Sequence, residues 1–362
     1  MACWKPPACA ADPVSMDGNF PPRPALTIAD LVADGLARAG DAPVLERVAQ
    51  DFRLRLTPQM REASARSEGV ARQFVPTAAE LIQRPEDLPD PIGDDTHAPV
   101  PGLTHRYPDR VILHVTKTCE VYCRFCFRRE TVGDTGHLPQ DQLEAALDYI
   151  ARTPAIHEVI LTGGDPLVLS ARRIAGLVAR LADIAHVGVL RLHTRVPVVA
   201  PNRITDTLIA ALRQHPSVWI VVHTNHADEL TEAARAALTR LADAGIPLLS
   251  QSVLLRGVND SADALEDLFR ALIRLRVKPY YLHHCDLARG AGHFRTTIAE
   301  GQAIMAALRG RLSGTALPTY VLDIPGGYGK VPIGPGYLVP DAQGWTVTDP
   351  NGQQHRYSDP AS

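Results

Sequence analysis

From residue 111 onward the chain alternates short apolar, β-branched runs with longer stretches of helical periodicity. The apolar runs are Val111–Val115, Glu158–Leu161, Val187–Leu192, Val218–His223, Pro247–Leu254 and Pro279–His283. Each is short and largely apolar, as a parallel strand covered on both faces should be. Amphipathic patterns fill the gaps at Gln140–Arg152, Ala171–Asp183, Ile204–Gln214, Glu229–Ala244, Ser261–Arg276 and Ile298–Arg311. Strand starts recur at roughly 30-residue intervals, the length of one βα unit. Six units predict an α/β fold, either a partial (β/α)6 TIM-like barrel or an open sheet. In such folds chemistry gathers at the C-terminal ends of the strands. The interval after the first strand is the longest of the series.

Upstream the pattern is weaker. Residues 1–25 are rich in Pro, Ala and Cys and read as loose. Ile28–Ala39 and Pro58–Ala71 read as helices, the second with Thr57 as N-cap. Pro85–Gly102 is proline-dense and acidic, which suits either a linker or an ordered arm around the following domain. After residue 312 the rhythm stops. A strand-like run, Pro318–Leu322, leads into a glycine-rich turn and then a polar tail with a turn at Asp349–Gly352.

Composition narrows the class. The 362 residues allow two domains or one α/β barrel with extensions. A 45% apolar content excludes global disorder. A formal charge of −3 argues against a nucleic-acid partner. No apolar run approaches the roughly 18 residues of a membrane span, and the N-terminus lacks the shape of a signal peptide. The expectation is a cytoplasmic protein whose six cysteines are thiols or metal ligands.

Three of those cysteines, Cys119, Cys123 and Cys126, follow the first strand in the order C-x3-C-x2-C. Thiolates hold iron–sulfur clusters, and short spacings let one loop wrap one cluster. A structural zinc site would want four ligands, often as two C-x2-C pairs, and no fourth stands nearby. Three ligands on a four-iron cluster leave one iron open. The pattern resembles that of the radical S-adenosylmethionine (SAM) superfamily. Gly163-Gly164-Asp165-Pro166 follows the second strand and is similar to the superfamily's Gly-Gly-Glu-Pro motif at the SAM amino group, with Asp for Glu. Taken alone it would be a simple βα turn.

Asp323-Ile-Pro-Gly-Gly-Tyr-Gly-Lys330 lacks the residue order of a nucleotide-binding P-loop. Its lysine is either solvated on a surface turn or offered to a carbonyl as a Schiff-base lysine, as with pyridoxal phosphate (PLP).

Together these motifs resemble the lysine 2,3-aminomutase family, which joins radical SAM chemistry to PLP. The resemblance runs from about residue 55 to about residue 358. It includes Pro99–Arg110, the cysteine triad, Gly163–Asp165, Gln251–Asp260, Cys285-Asp-Leu, His293-Phe-Arg-Thr and Asp323–Lys330. It implies that Pro85–Gly102 is an ordered arm. The division implied is 1–104 as N-terminal helical and extended arm, 105–312 as radical SAM (β/α)6 core, and 313–362 as C-terminal PLP-lysine segment and tail.

The resemblance implies a role for each matching residue. Cys119, Cys123 and Cys126 would hold a [4Fe–4S] cluster whose open iron takes SAM. Gly163, Gly164, Asp165, His223 and Gln251 would meet SAM. Lys330 would carry PLP, with Arg106, Tyr107 and Arg110 around it. Asp286 and Asp323 would clamp a substrate ε-ammonium, and Arg128 its α-carboxylate. Two carboxylates on one ammonium favour L-lysine, and the implied reaction moves its α-amino group to Cβ through a PLP aldimine, giving β-lysine. A related aminomutase serving β-lysylation of elongation factor P, or acting on another amino acid, stays open. So do a non-catalytic relative and a radical SAM enzyme without PLP. An electron donor such as flavodoxin or ferredoxin is implied, and a homo-oligomer is allowed.

The chain departs from the family at three places. Ser261 stands where a zinc-ligating cysteine is expected, and no cysteine follows Cys285. Both argue against zinc and the tetramer it supports. Tyr328 replaces a usual glycine. Cys3, Cys9 and Cys285 are left without a role.

Overall fold

The computed structural model describes residues 23–133, 136–341 and 344–358. Cys3 and Cys9 lie outside the described residues. Four short helices come first: α1 (Ile28–Ala33), α2 (Ala42–Asp51), α3 (Pro58–Arg66) and α4 (Glu68–Phe74). Thr57 caps α3 by accepting from the Met60 amide. The single helix expected over Pro58–Ala71 is broken at Ser67, whose extended backbone (φ −139°, ψ 119°) starts α4 afresh. The first helix is shorter than its pattern because the chain turns at Gly35 with φ 71°. Helix α2 was not expected; Pro43 conceals it, although proline is well placed in a first helical turn.

Nine strands form one sheet in sequence order. They are β1 (Leu103–Tyr107), β2 (Arg110–Thr116), β3 (Glu158–Gly163), β4 (Val189–Thr194), β5 (Val218–His223), β6 (Leu248–Leu254), β7 (Val277–His284), β8 (Thr319–Asp323) and β9 (Lys330–Pro332). Strands β2 to β8 are parallel, while β1 and β9 pair antiparallel at the two edges. This is a partial α/β barrel. The six-unit rhythm does not stop at residue 312, since β8 joins as a seventh parallel strand beside β7.

Helices α5 (Gln140–Ala151), α6 (Ala171–Ala182), α7 (Val196–Val199), α8 (Asp206–Leu212), α9 (Glu232–Asp243), α10 (Ala262–Arg274) and α11 (Ile298–Leu308) fill the crossovers. Hydroxyl N-caps start five of them: Ser170, Thr205, Thr231, Ser261 and Thr297. Ser261 therefore has a structural task here, accepting from the Ala264 amide at 3.2 Å. Among the described residues no helix is long and apolar enough to cross a membrane.

Strand register explains where the core and the cavity lie. Leu113, Leu161, Leu192, Ile220, Leu248 and Val277 are consecutive partners across six strands, and all are buried. They share one hydrophobic core with Ile174 and Leu181 of α6 and Leu268 of α10. The neighbouring positions point to the other side of the sheet. Ile112, Ile160, Arg191, His193, Gln251, Tyr281 and His283 line a cavity there. The strands are thus not covered by helices on both faces, as their apolar character suggested; β2, β4 and β6 alternate in burial instead.

Candidate active site

Every residue singled out from the sequence for cofactor or substrate lines one cavity of about 530 Å3. It opens at the C-terminal ends of the strands. Cys119, Cys123 and Cys126 stand on the loop after β2, none in a disulfide. The N-terminal segment holds that loop in place. The Tyr122 amide donates to the Arg55 carbonyl at 3.0 Å, and the Arg124 amide to the Gln73 carbonyl at 2.8 Å. Glu80, fully buried, accepts from Arg124 at 2.6 Å and from Arg129 at 2.5 Å. Burial opposes ionisation of Glu80, but the two guanidiniums overcome it and hold its pKa below the ordinary value.

Gly163 and Gly164 let β3 approach this loop. A Cβ on Gly164 would fall 2.3 Å from the Thr118 carbonyl oxygen, and one on Gly163 would fall 2.5 Å from that of Thr116. Gly163 also has φ 115°, a conformation that favours glycine. Asp165 turns inward rather than offering a free carboxylate. Its oxygens accept from Thr194 Oγ1 at 2.6 Å, the Arg195 amide at 2.7 Å and the Leu167 amide at 3.0 Å. Burial raises its pKa against those donors. This motif fixes the ends of β3 and β4 against the cysteine loop.

The donor set fits an iron–sulfur cluster. Burial raises the pKa of all three thiols, that of Cys126 to about 11, and they repel one another as thiolates. They are neutral near pH 7 until a cationic metal group claims them, with release of protons. His223 lines the cavity beside them, its Nε2 buried and without a partner, and burial keeps the ring well below its ordinary pKa. Gln251, on β6, also lines the cavity. Unpaired polar atoms of this kind suit a polar ligand such as SAM.

Lys330 begins β9 after the turn Gly326–Gly329, whose three glycines have φ of 86°, 85° and 106°. The turn docks on the arm. The Gly326 amide donates to the Pro91 carbonyl at 3.0 Å, and a Cβ on Gly327 would strike His97 at 2.7 Å. Pro85–Gly102 is therefore an ordered arm, and it sets where the lysine points. Lys330 Nζ pairs with Asp323 Oδ1 and lies 5.7 Å from the Tyr281 ring centroid. Asp323 Oδ2 accepts from His283 Nδ1 at 2.9 Å. A carboxylate only accepts, so the His283 proton sits on Nδ1 and its buried Nε2 is left unpaired. Burial opposes ionisation of Asp323, yet His283 and Lys330 hold its pKa far below the ordinary range.

Asp286 follows β7 and faces the same space. Burial and the neighbouring Asp323 charge push its pKa up to about 7. Arg128 donates through Nε to Asp94 at 2.7 Å, which leaves its terminal nitrogens for a ligand. Arg106 reaches Asp94 at 3.5 Å and keeps a buried Nε without a partner. Arg110 lies 3.7 Å above the Tyr107 ring. A lysine amine, an aromatic face and cationic groups with an orphan donor fit an anionic carbonyl cofactor such as PLP.

Arg191, His193, Arg195, Tyr280, Tyr281 and His283 also line the cavity, and the sequence reading passed over them. The signal was present as polar residues at alternate positions in otherwise apolar strands, such as Arg191 and His193 on β4.

Comparison with known proteins agrees with this geometry. A family model described as Radical SAM superfamily matches residues 113–270, and one described as Lysine-2,3-aminomutase matches residues 305–361. An L-lysine 2,3-aminomutase of Clostridium subterminale is 44% identical over 301 residues, covering 81% of this chain and 72% of that protein. Its counterpart in Fusobacterium nucleatum subsp. nucleatum is 45% identical over 271 residues, covering 75% and 64%. A glutamate 2,3-aminomutase of Clostridioides difficile is 41% identical over 266 residues, covering 73% and 63%. The chain thus spans 72% of the first relative and less than two thirds of the other two.

Proposed function

Because this chain belongs to the lysine 2,3-aminomutase family and carries its radical SAM domain, we propose that it moves the α-amino group of L-lysine to Cβ, giving β-lysine. The observation that carries this reading is the convergence of the cysteine triad, Lys330 and the carboxylates of Asp286 and Asp323 on one cavity. Cys119, Cys123 and Cys126 would hold a [4Fe–4S] cluster. His223, the last residue of β5, and Gln251, within β6, would meet SAM. Lys330, Arg106, Tyr107 and Arg110 would hold PLP. The chemistry such a set supplies when bound is hydrogen-atom abstraction at carbon and imine-assisted migration of nitrogen.

The protein's own contribution is placement. Arg128, braced by Asp94, presents its two terminal nitrogens to an α-carboxylate as a fork. Asp323 and Asp286 form the anionic end of the cavity and receive the ε-ammonium. His283 holds Asp323 through its Nδ1 proton and stays neutral, because burial and Lys330 lower its pKa. His193 is also neutral, so neither ring competes with a cationic substrate. A dicarboxylic amino acid would set a side-chain carboxylate against Asp323 and, above about pH 7, against Asp286 as well, which costs several kcal/mol in a desolvated site.

The test is anaerobic reconstitution with iron, sulfide, SAM and PLP, followed by incubation with L-lysine and, separately, L-glutamate. β-Lysine is the expected product. Turnover of glutamate without β-lysine would overturn the substrate assignment.

A further inference from the structure

Arg195 follows β4 and is 5% exposed. Its guanidinium is held from three sides. Nη2 donates to Gln73 Oε1 at 2.6 Å and to Glu229 Oε2 at 2.5 Å. The rings of Phe74 and Phe125 lie 4.7 and 5.5 Å from its Cζ. The remaining side faces the cysteine loop, where Nη1 donates to Cys123 Sγ at 2.7 Å. Glu229 is fixed in turn: its other oxygen accepts from the Asn225 amide at 2.8 Å, the His226 amide at 2.9 Å and Gln73 Nε2 at 3.0 Å. Gln73 also accepts from Asn225 Nδ2 at 3.0 Å. This network is buried, so its charges act at low effective dielectric.

We propose that Arg195 is a positioning residue that sets the reduction potential of the iron–sulfur cluster through its hydrogen bond to Cys123, an inference that rests on the radical SAM reading above. Reduction adds one electron, drawn from a low-potential one-electron reductant, and forms or breaks no bond to protein. The cluster gains one negative charge. A fixed cation on a ligand sulfur stabilises that reduced state more than the oxidised one, and hydrogen bonds to cluster sulfurs raise the potential. Glu229 opposes it in part by placing a carboxylate behind the guanidinium. Burial has left Arg195 two neutral or anionic anchors from distant segments, and both orient one cation toward one sulfur.

The test is an anaerobic redox titration of the reconstituted protein with dithionite and mediators, read by electron paramagnetic resonance. Iron and sulfide content reports cluster assembly, so failure of the cluster reading itself is seen separately. Arg195→Gln is expected to lower the midpoint so that the reduction equilibrium falls at least tenfold, about 59 mV for one electron. Arg195→Lys, which keeps the charge, is expected to recover most of that shift. Glu229→Gln keeps an acceptor for the two amides, removes the opposing charge, and is expected to raise the midpoint. If Arg195→Gln loads a full cluster with an unchanged midpoint, the inference is overturned. If it does not load, Glu229→Gln decides: an unchanged or lower midpoint overturns the inference.

Discussion

The ammonium of Lys330 is paired with the carboxylate of Asp323. One residue was expected to carry PLP and the other to hold the substrate ammonium. On the proposed reading, the protein's own lysine thus occupies the position that a substrate lysine would give its ε-nitrogen. Charge-assisted pairs of this kind are worth about 1.5–3 kcal/mol. Lysine should bind the cofactor-free protein weakly, and Lys330→Ala should tighten that binding by roughly tenfold. Calorimetric titration of both cofactor-free forms checks this. Equal affinities would mean that Lys330 does not compete for Asp323. The same variant should lose the visible absorbance of a PLP–lysine adduct.

Asp286 gives a pH dependence. Its pKa is raised from the ordinary 3.8 to about 7 by burial and by Asp323. Below pH 7 it is largely neutral and contributes little to holding an ammonium. Lysine affinity should rise with pH up to about 7 and then level off. Asp286→Asn should weaken binding and flatten the profile. The sign for stability is opposite. The folded chain binds this proton more tightly than the unfolded one, so the group costs stability as pH rises from about 4 to about 7. Thermal melts of Asp286→Asn should lose that slope; an unchanged slope would contradict the assignment.

Glu80 lies between Arg124 and Arg129 with no solvent exposure. Removing it leaves two buried guanidiniums uncompensated, which costs about 3–5 kcal/mol. Glu80→Ala should lower the melting temperature and, because Arg124 lies within the cysteine loop, reduce iron bound per chain. A full melting temperature with full iron content would show that the loop does not depend on this brace.

Gly164 separates local from global effects. A Cβ there would meet the backbone of Thr118, which can yield only by moving the start of the cysteine loop. Gly164→Ala should keep its circular dichroism spectrum and lose most of its reconstituted iron. Normal loading would place the need for glycine elsewhere.

The barrel was legible because its strands are short apolar runs at regular spacing and the stretches between them, such as Ile298–Arg311, carry helical periodicity. That the cysteine triad and Lys330 belong to one cavity was legible because each stands in a short motif of concentrated chemistry. The inner strand face was not, since Arg191 and His193 look like exceptions within an apolar run until the register of β4 shows that they share one side. Nor was the part played by the arm. Nothing near Glu80 or Gln73 in sequence points to Arg124 or Arg195, because these pairs form only when the chain folds back on itself. Asp165 carried a ligand-like motif, but its donors Thr194 Oγ1 and the Arg195 and Val196 amides became visible only with β4 and the turn after it alongside.

On the proposed reading, the α-nitrogen of lysine moves to Cβ. L-Lysine labelled with 15N at the α-amino group and 13C at Cβ tests it directly. After anaerobic incubation with the reconstituted protein, SAM, PLP and a reductant, a one-bond 15N–13C coupling at Cβ should appear in the nuclear magnetic resonance spectrum. Nitrogen that remains on Cα, or that is released as ammonia while the cluster and SAM are consumed, would contradict the account.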